Sequence, residues 1–168
     1  MICNTTHKDI KLLHDCGKRN LPIFYSPLQL MLMLSQPDKF IFIHINDIDN
    51  DNDNNGRIVG YLIGEYNFEE TKYNIHVLSF AVDEKYRRKK IGTDLFNYLK
   101  HLSSNLNKIR RIMTFTLYVH VENVAAISFY TKFGFSVQST LINYYHCDND
   151  SLTNVKSRDA YRMIYYLD

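Results

Sequence analysis

Tyr86-Arg87-Arg88-Lys89-Lys90-Ile91-Gly92-Thr93 is the stretch on which the reading of this chain turns. It separates a β-rich segment, His76 to Val82, from a helical one, Thr93 to Lys100. A strand that passes through a basic, glycine-ended turn into a helix presents free backbone N–H groups at the positive end of the helix dipole. Diphosphates bind at such places. Arginine and lysine beside the turn add charge that a second phosphate can use. A basic cluster by itself is usually solvated surface, so its meaning depends on the segments around it.

Working outward, Ile10, Leu12, Leu13 and Cys16 give a helical stripe behind a Thr6/Asp9 capping box, with Gly17 near its end and Pro22 beyond it. Ser26-Pro27 reads as an N-cap with proline at the first helical position, opening a helix to Ser35. Its run of Leu28, Leu30, Met31, Leu32, Met33 and Leu34 predicts a helix buried on most sides or covering a ligand groove. Strands follow at Lys39–Asn46, Arg57–Tyr66 and Tyr73–Val82, the first two separated by an Asn/Asp-rich loop at about 47–55. A helix is expected from Ile91 to Leu106, then a strand from Arg111 to Val121. Asn123 opens a helix that Gly134 closes, and strands at Phe135–His146 and Ala160–Leu167 finish the chain. The order is βααβββαβαββ, an α/β chain with one mixed sheet and helices on both faces.

At 168 residues a single domain, 1–168, is expected. A net charge of +2 argues against a nucleic-acid coat, and no DNA partner is expected. Cys3, Cys16 and Cys147 form no CxxC pair, so neither a disulfide framework nor a metal site is expected. No apolar run is long enough for a membrane span and no basic-then-apolar leader is visible; the expectation is a cytoplasmic protein.

In an open α/β sheet, ligands bind at the carboxyl ends of strands where the arrangement splits. The strands ending at Val82 and Val121 are the two that run into helices. If they are parallel neighbours, Asn74, His76, Leu78, Phe80 and Val82 share one face of the first, and Thr114, Thr116, Tyr118 and His120 one face of the second. His76 and Tyr118 then form a candidate acid/base pair around a bound water.

YRRKKIGTDLFNYL (86–99) resembles the acyl-CoA signature (Q/R)-x-x-G-x-(G/A) of the GNAT acetyltransferases. LYVHVENVAAISFYTKFGF (117–135) is similar to their second signature, L-x-V-x-x-x-N-x-x-A-x-x-x-Y-x-x-x-G-F. NYY at 143–145 and DAYRM at 159–163 resemble the protein N-terminal acetyltransferases, the catalytic subunits of the NatA, NatB and NatE complexes. The resemblance implies the GNAT fold, a mostly antiparallel sheet whose fourth and fifth strands are parallel and splayed. It implies acetyl-CoA as cofactor and a protein N-terminal peptide as substrate. An auxiliary helical-repeat subunit and the ribosome are the implied partners.

Carried over by position, the resemblance implies that Phe80, Ala81, Val82, Arg87, Arg88, Lys89, Lys90, Ile91, Gly92 and Thr93 lie along pantetheine and pyrophosphate. Asn123 would contact the cofactor arm, and Tyr130 would lie near the sulfur as candidate acid for the leaving thiolate. Leu21, Pro22, Ile23 and Tyr25 would form one wall of the peptide entrance, with Tyr144 and Tyr145 as the other. The chain departs from the pattern at three places. Lys90 stands where the loop has its earlier glycine, so a strained or differently shaped turn is expected. His76 and Tyr118 exchange the tyrosine and histidine of NatE-type relatives, which keeps one imidazole and one phenol. Ile23 is apolar where NatA and NatB types carry glutamate, which favours substrates beginning with methionine.

An α-amine suits such a site. With a pKa near 8 it is roughly 10–20% neutral at pH 7.2, against roughly 0.1% for lysine. A water held by an imidazole and a phenol is then sufficient help, and backbone N–H of Phe80 or Val82 is the candidate donor to the thioester carbonyl. Two alternatives stand beside this reading: acetylation of lysine or another amine, and a GNAT-fold module with little catalysis that binds a partner or ribosomal RNA through Lys85–Lys90 and Lys108–Arg111.

Overall fold

The computed structural model describes residues 1–46, 57–69, 72–110, 112–145 and 157–167. The Asn/Asp loop and Cys147 lie outside the described residues, as do the side chains of 106–110. The elements are β1 (Ile2–Asn4), α1 (Ile10–Asn20), α2 (Pro27–Leu34), β2 (Lys39–Asn46), β3 (Arg57–Glu69), β4 (Lys72–Val82), α3 (Ile91–Arg110), β5 (Ile112–His120), α4 (Val124–Lys132), β6 (Ser136–Leu141) and β7 (Ala160–Tyr166). The expected order of elements is the observed one. Hydrogen bonding orders the strands β1-β2-β3-β4-β5-β7-β6. β4 and β5 are parallel, while β1–β2, β2–β3, β5–β7 and β6–β7 are antiparallel.

By internal contacts the chain forms two compact units: Met1–Glu65 with Leu78–Ile109, and Tyr66–Val77 with Arg110–Asp168. In the first, α1 and α2 cover one face of the strands. Leu13, Cys16 and Leu30 join Ile41, Ile43, Tyr61 and Ile63 in one buried cluster. A bulge opposite His44 changes the parity of β3, which brings Ile58 onto that same face. α3 covers the opposite face, with Tyr98 edge-on to Phe42 and Phe96 edge-on to Phe80.

Gly60 sets how closely α3 approaches. A Cβ there would lie 2.9 Å from Ile91 Cγ2 and 3.2 Å from the Ala81 carbonyl oxygen. Gly60→Ala is therefore expected to destabilise the protein by about 1–3 kcal/mol through overpacking, a thermal melt falling by roughly 2–4 °C per kcal/mol. A melt unchanged from wild type would contradict this account of the helix seat.

The second unit is built on aromatic rings. Phe115 and Phe135 each pack on Tyr165, at 5.7 and 5.6 Å between centroids, and Tyr130 lies 5.8 Å from Phe135. Gly134 closes α4 at φ +96°, a conformation that glycine alone takes cheaply.

Gly17 lies in the last turn of α1, near its end as expected; its missing Cβ makes room for the Tyr61 hydroxyl, 3.1 Å from where that atom would be. Two expectations need correction. The strand expected over Phe135–His146 stops at Leu141, because Asn143 turns the chain at φ +53° and its N–H donates to Asp159 Oδ1 at 2.8 Å. α2 is not buried on most sides: Leu30 is, but Leu28, Met31 and Leu32 are 66%, 47% and 55% exposed. Its start is as expected, with Ser26 accepting from Gln29 N–H and Pro27 at the first turn.

Candidate active site

The basic turn leaves β4 at Asp83 and enters α3 at Ile91. Asp83 is 4% exposed and its carboxylate is fully used. Oδ2 accepts from Arg57 at 3.0 Å and from Arg19 at 3.2 Å, and Oδ1 accepts from the Lys85 N–H at 3.3 Å. Burial alone would push this carboxyl's pKa up. Arg57, the Lys85 N–H and Arg19 together outweigh that and hold it below the usual value. Beyond Tyr86 the backbone enters the left-handed region twice, at Arg88 (φ +64°) and Lys90 (φ +66°). Lys90 thus keeps the positive φ of the glycine that the family pattern has there, at a cost of roughly 1–2 kcal/mol. A backbone of this kind, running into the first N–H groups of α3, is the type of arrangement that can offer donors to a diphosphate. Arg87, Arg88, Lys89 and Lys90 are all exposed, and Lys89 Nζ lies 4.9 Å from the centre of the Tyr86 ring.

In the same unit Phe80 and Val82 are half-buried, Ala81 and Ile91 are buried, and Gly92 and Thr93 open α3 half-buried. The segment from Leu21 to Tyr25 joins α1 to α2 with Pro22 and Ile23 exposed. His14 Nδ1 lies 3.0 Å from the Tyr25 carbonyl oxygen, which fixes the segment's far end. Tyr25 itself is raised in pKa by burial and by the Glu65 charge.

The second unit carries the polar ladder. β4 and β5 pair Asn74 with Thr114, Ile75 with Phe115, His76 with Thr116 and Val77 with Leu117. In a parallel pair with this register, each polar residue faces a polar neighbour on the same side of the sheet. Thr114 Oγ1 donates to Asn74 Oδ1 at 2.6 Å, and His76 Nδ1 lies 2.9 Å from Thr116 Oγ1. The His76 and Tyr118 rings stand edge to face at 5.0 Å, and Tyr144 covers Tyr118 at 4.5 Å. Tyr145 follows at 5.1 Å from Tyr144, and burial with the neighbouring Tyr144 pushes its phenol up to about 12. His76, Tyr118, Tyr144 and Tyr145 are therefore brought together.

Tyr130 of α4 is buried, and burial holds its phenol well above the usual pKa, with Tyr145 adding to the effect. Such a group keeps its proton until a strong base needs one. Asn123 caps α4, its Oδ1 accepting from Ala126 N–H at 3.1 Å, so half of its amide already has a structural task.

Sequence reasoning missed three residues here. Thr116 shares the β5 face of Tyr118, where alternation alone assigns it no role. Asp83 carries no local signal, because its partners Arg19 and Arg57 are 64 and 26 residues away. His120 accepts at Nδ1 from Glu122 N–H (3.1 Å), so its Nε2–H donates to the Ser157 carbonyl (2.8 Å), and its ring lies 5.5 Å from Tyr145.

The model of the acetyltransferase (GNAT) family matches residues 12–135. This chain belongs to the GNAT acetyltransferase family. N-alpha-acetyltransferase 20 of Dictyostelium discoideum is 37% identical over 98 residues, 58% of this GNAT chain and 55% of that protein. The N-terminal acetyltransferase B complex catalytic subunit NAA20 of Arabidopsis thaliana is 30% identical over 106 residues, 62% of this chain and 59% of that protein. The matches span a little over half of those relatives' length. The crystal structure of Arabidopsis thaliana NAA60 in complex with acetyl-CoA superposes with a TM-score of 0.82 at 18% identity, over 99% of both chains. At that identity the superposition speaks for the fold alone. No helix among the described residues is long and apolar enough to cross a membrane.

Proposed function

We propose that this GNAT chain transfers the acetyl group of acetyl-CoA to the α-amino group of protein N-termini, preferring those that begin with methionine. The observation that carries this reading is the His76–Thr116–Tyr118 arrangement on one face of the parallel strands, with Tyr144 and Tyr145 beside it. The names of the relatives point the same way.

Acetyl-CoA would supply an activated acyl carbonyl and a thiolate leaving group. The amides and cations of the turn from Arg87 to Thr93 fit its diphosphate, as the two left-handed residues and the helix start support. His76, helped by Tyr118, takes the proton from the incoming amine through a water. Tyr130 holds the proton that the departing sulfur needs, a part for which its burial suits it. The amine is its own nucleophile, so no acyl-enzyme is required; Cys16 is buried with its thiol pushed up to about 11, which suits a structural residue.

Exposed Pro22 and Ile23 offer an apolar lip for a methionine side chain. Leu28, Met31 and Leu32, one stripe of α2, are the surface on which an auxiliary helical-repeat subunit of a Nat complex would dock, and the ribosome would deliver the substrate. The buried free thiol of Cys16 supports a reducing compartment, and we assign the protein to the cytoplasm.

The test is mass spectrometry of Met-x peptides, each carrying an internal lysine, incubated with acetyl-CoA. Acetyl groups should appear on the N-terminal residue and depend on the identity of x. Acetyl on lysine alone, or on no peptide, would overturn the proposal.

A further inference from the structure

Asp83 has a consequence beyond holding its own turn. Its backbone N–H donates to the Val59 carbonyl at 2.8 Å, which pins the end of β4 to β3. Its carboxylate is gripped by Arg57 of β3 and by both Nε and Nη2 of Arg19, the second-to-last residue of α1, each at 3.2 Å. The next peptide is held from the same helix end, Glu84 N–H donating to Asn20 Oδ1 at 3.2 Å. From this frame the chain makes a tight turn, with Tyr86 N–H donating to Asp83 O (2.8 Å) and Arg87 N–H to Glu84 O (3.2 Å). The left-handed residues Arg88 and Lys90 follow at once. Two non-glycine residues in that region are strained, and strained backbone persists only where its surroundings over-determine it. In this unit the surroundings of the turn's entry are the last residues of α1 together with Arg57 and Val59 of β3.

We infer that Arg19, acting through Asp83, is a positioning residue for the cofactor turn, so that the end of α1 sets how tightly the diphosphate is held. The inference rests on the reading of Arg87–Thr93 as the diphosphate site. α1 runs directly into Leu21–Tyr25, the segment proposed as the peptide wall. One helix end thus joins that wall to the turn, and the coupling is reciprocal: occupying the turn steadies the last residues of α1.

The test compares wild type, Arg19→Gln and Arg19→Lys. The Arg19 side chain is 42% exposed, so the exchange leaves no buried cavity. The Kd for CoA, measured by calorimetry, should rise about fivefold or more in Arg19→Gln, the lower end of a typical coupling between sites. Arg19→Lys should recover part of the loss, and kcat at saturating acetyl-CoA should stay at the wild-type level in both. Hydrogen exchange supplies a readout that general loosening would not produce. Addition of CoA should slow exchange at the end of α1, including the Leu21 amide bonded to the Gly17 carbonyl, in wild type but not in Arg19→Gln. Equal CoA affinity in wild type and Arg19→Gln would overturn the inference while leaving the diphosphate site intact. Failure of the wild type itself to bind CoA would remove the site reading, and this inference with it.

Discussion

Replacing His76 by alanine is expected to lower turnover about a hundredfold while leaving the affinity for CoA unchanged, the lower part of the range for a positioned general base. The residue's surroundings are the reason. Thr116 Oγ1 holds Nδ1 at 2.9 Å and the Tyr118 ring braces the imidazole at 5.0 Å, so the ring has a fixed direction. For the base role Nδ1–H donates to Thr116, and Nε2 accepts the proton. The defect should depend on pH. An α-amine with a pKa near 8 becomes neutral without help as pH rises, so the gap between wild type and His76→Ala should narrow above about pH 8. Rates equal to wild type at neutral pH and below would remove His76 from the mechanism.

Asp83→Asn carries the second large effect, on stability. The variant loses charge-assisted hydrogen bonds from Arg57 and Arg19, and each arginine is left beside a neutral amide. Hydrogen bonds to charged groups of this kind contribute about 1.5–3 kcal/mol. The arginine side chains are 36–42% exposed, which keeps the loss near the middle of that range, below the figure for a fully buried pair. A fall in melting temperature of about 4–8 °C is expected for a chain of this size. The sign of the pH dependence follows from the direction of the shift. The folded carboxyl lies below its unfolded value, so its contribution is complete above the ordinary carboxylate range and is lost as pH falls through the folded value. Wild type and Asp83→Asn should therefore differ most near neutrality and converge in acid. A constant difference down to low pH would contradict the assignment.

The fold was legible because two kinds of local signal were strong. β2, β3 and β5 carry apolar runs that buried strands require, and Ser26-Pro27 and Asn123…Gly134 mark helix ends by chemistry that admits few alternatives. Where reading failed, the cause was non-local. Nothing around Asn143 announces that it ends β6, because the bond that holds the turn comes from Asp159. In α2 nearly every position is apolar, and periodicity then cannot say which face has a partner; Leu30 does and Leu28 does not.

The candidate site was legible in the same measure. His76 and Tyr118 could be placed on one face from alternation if their strands are parallel neighbours, and the parallel register meets that condition. Thr116 could have been found by the same step, since a register that sets His76 beside a threonine makes that threonine its hydrogen-bond partner. Lys90 marked a departure from glycine, but only the backbone shows that the left-handed conformation survives the exchange. Asp83 offered no signal: an acid in a basic stretch looks like surface until Arg19 and Arg57 arrive from elsewhere in the chain.

A crystal grown with CoA tests the central claim most directly, because everything chemical depends on where the diphosphate sits. The account predicts its oxygens against the backbone N–H groups of the turn from Arg88 to Gly92, with Lys90 still at positive φ. A diphosphate bound elsewhere, or a turn that has abandoned its left-handed residues to admit it, would contradict the account.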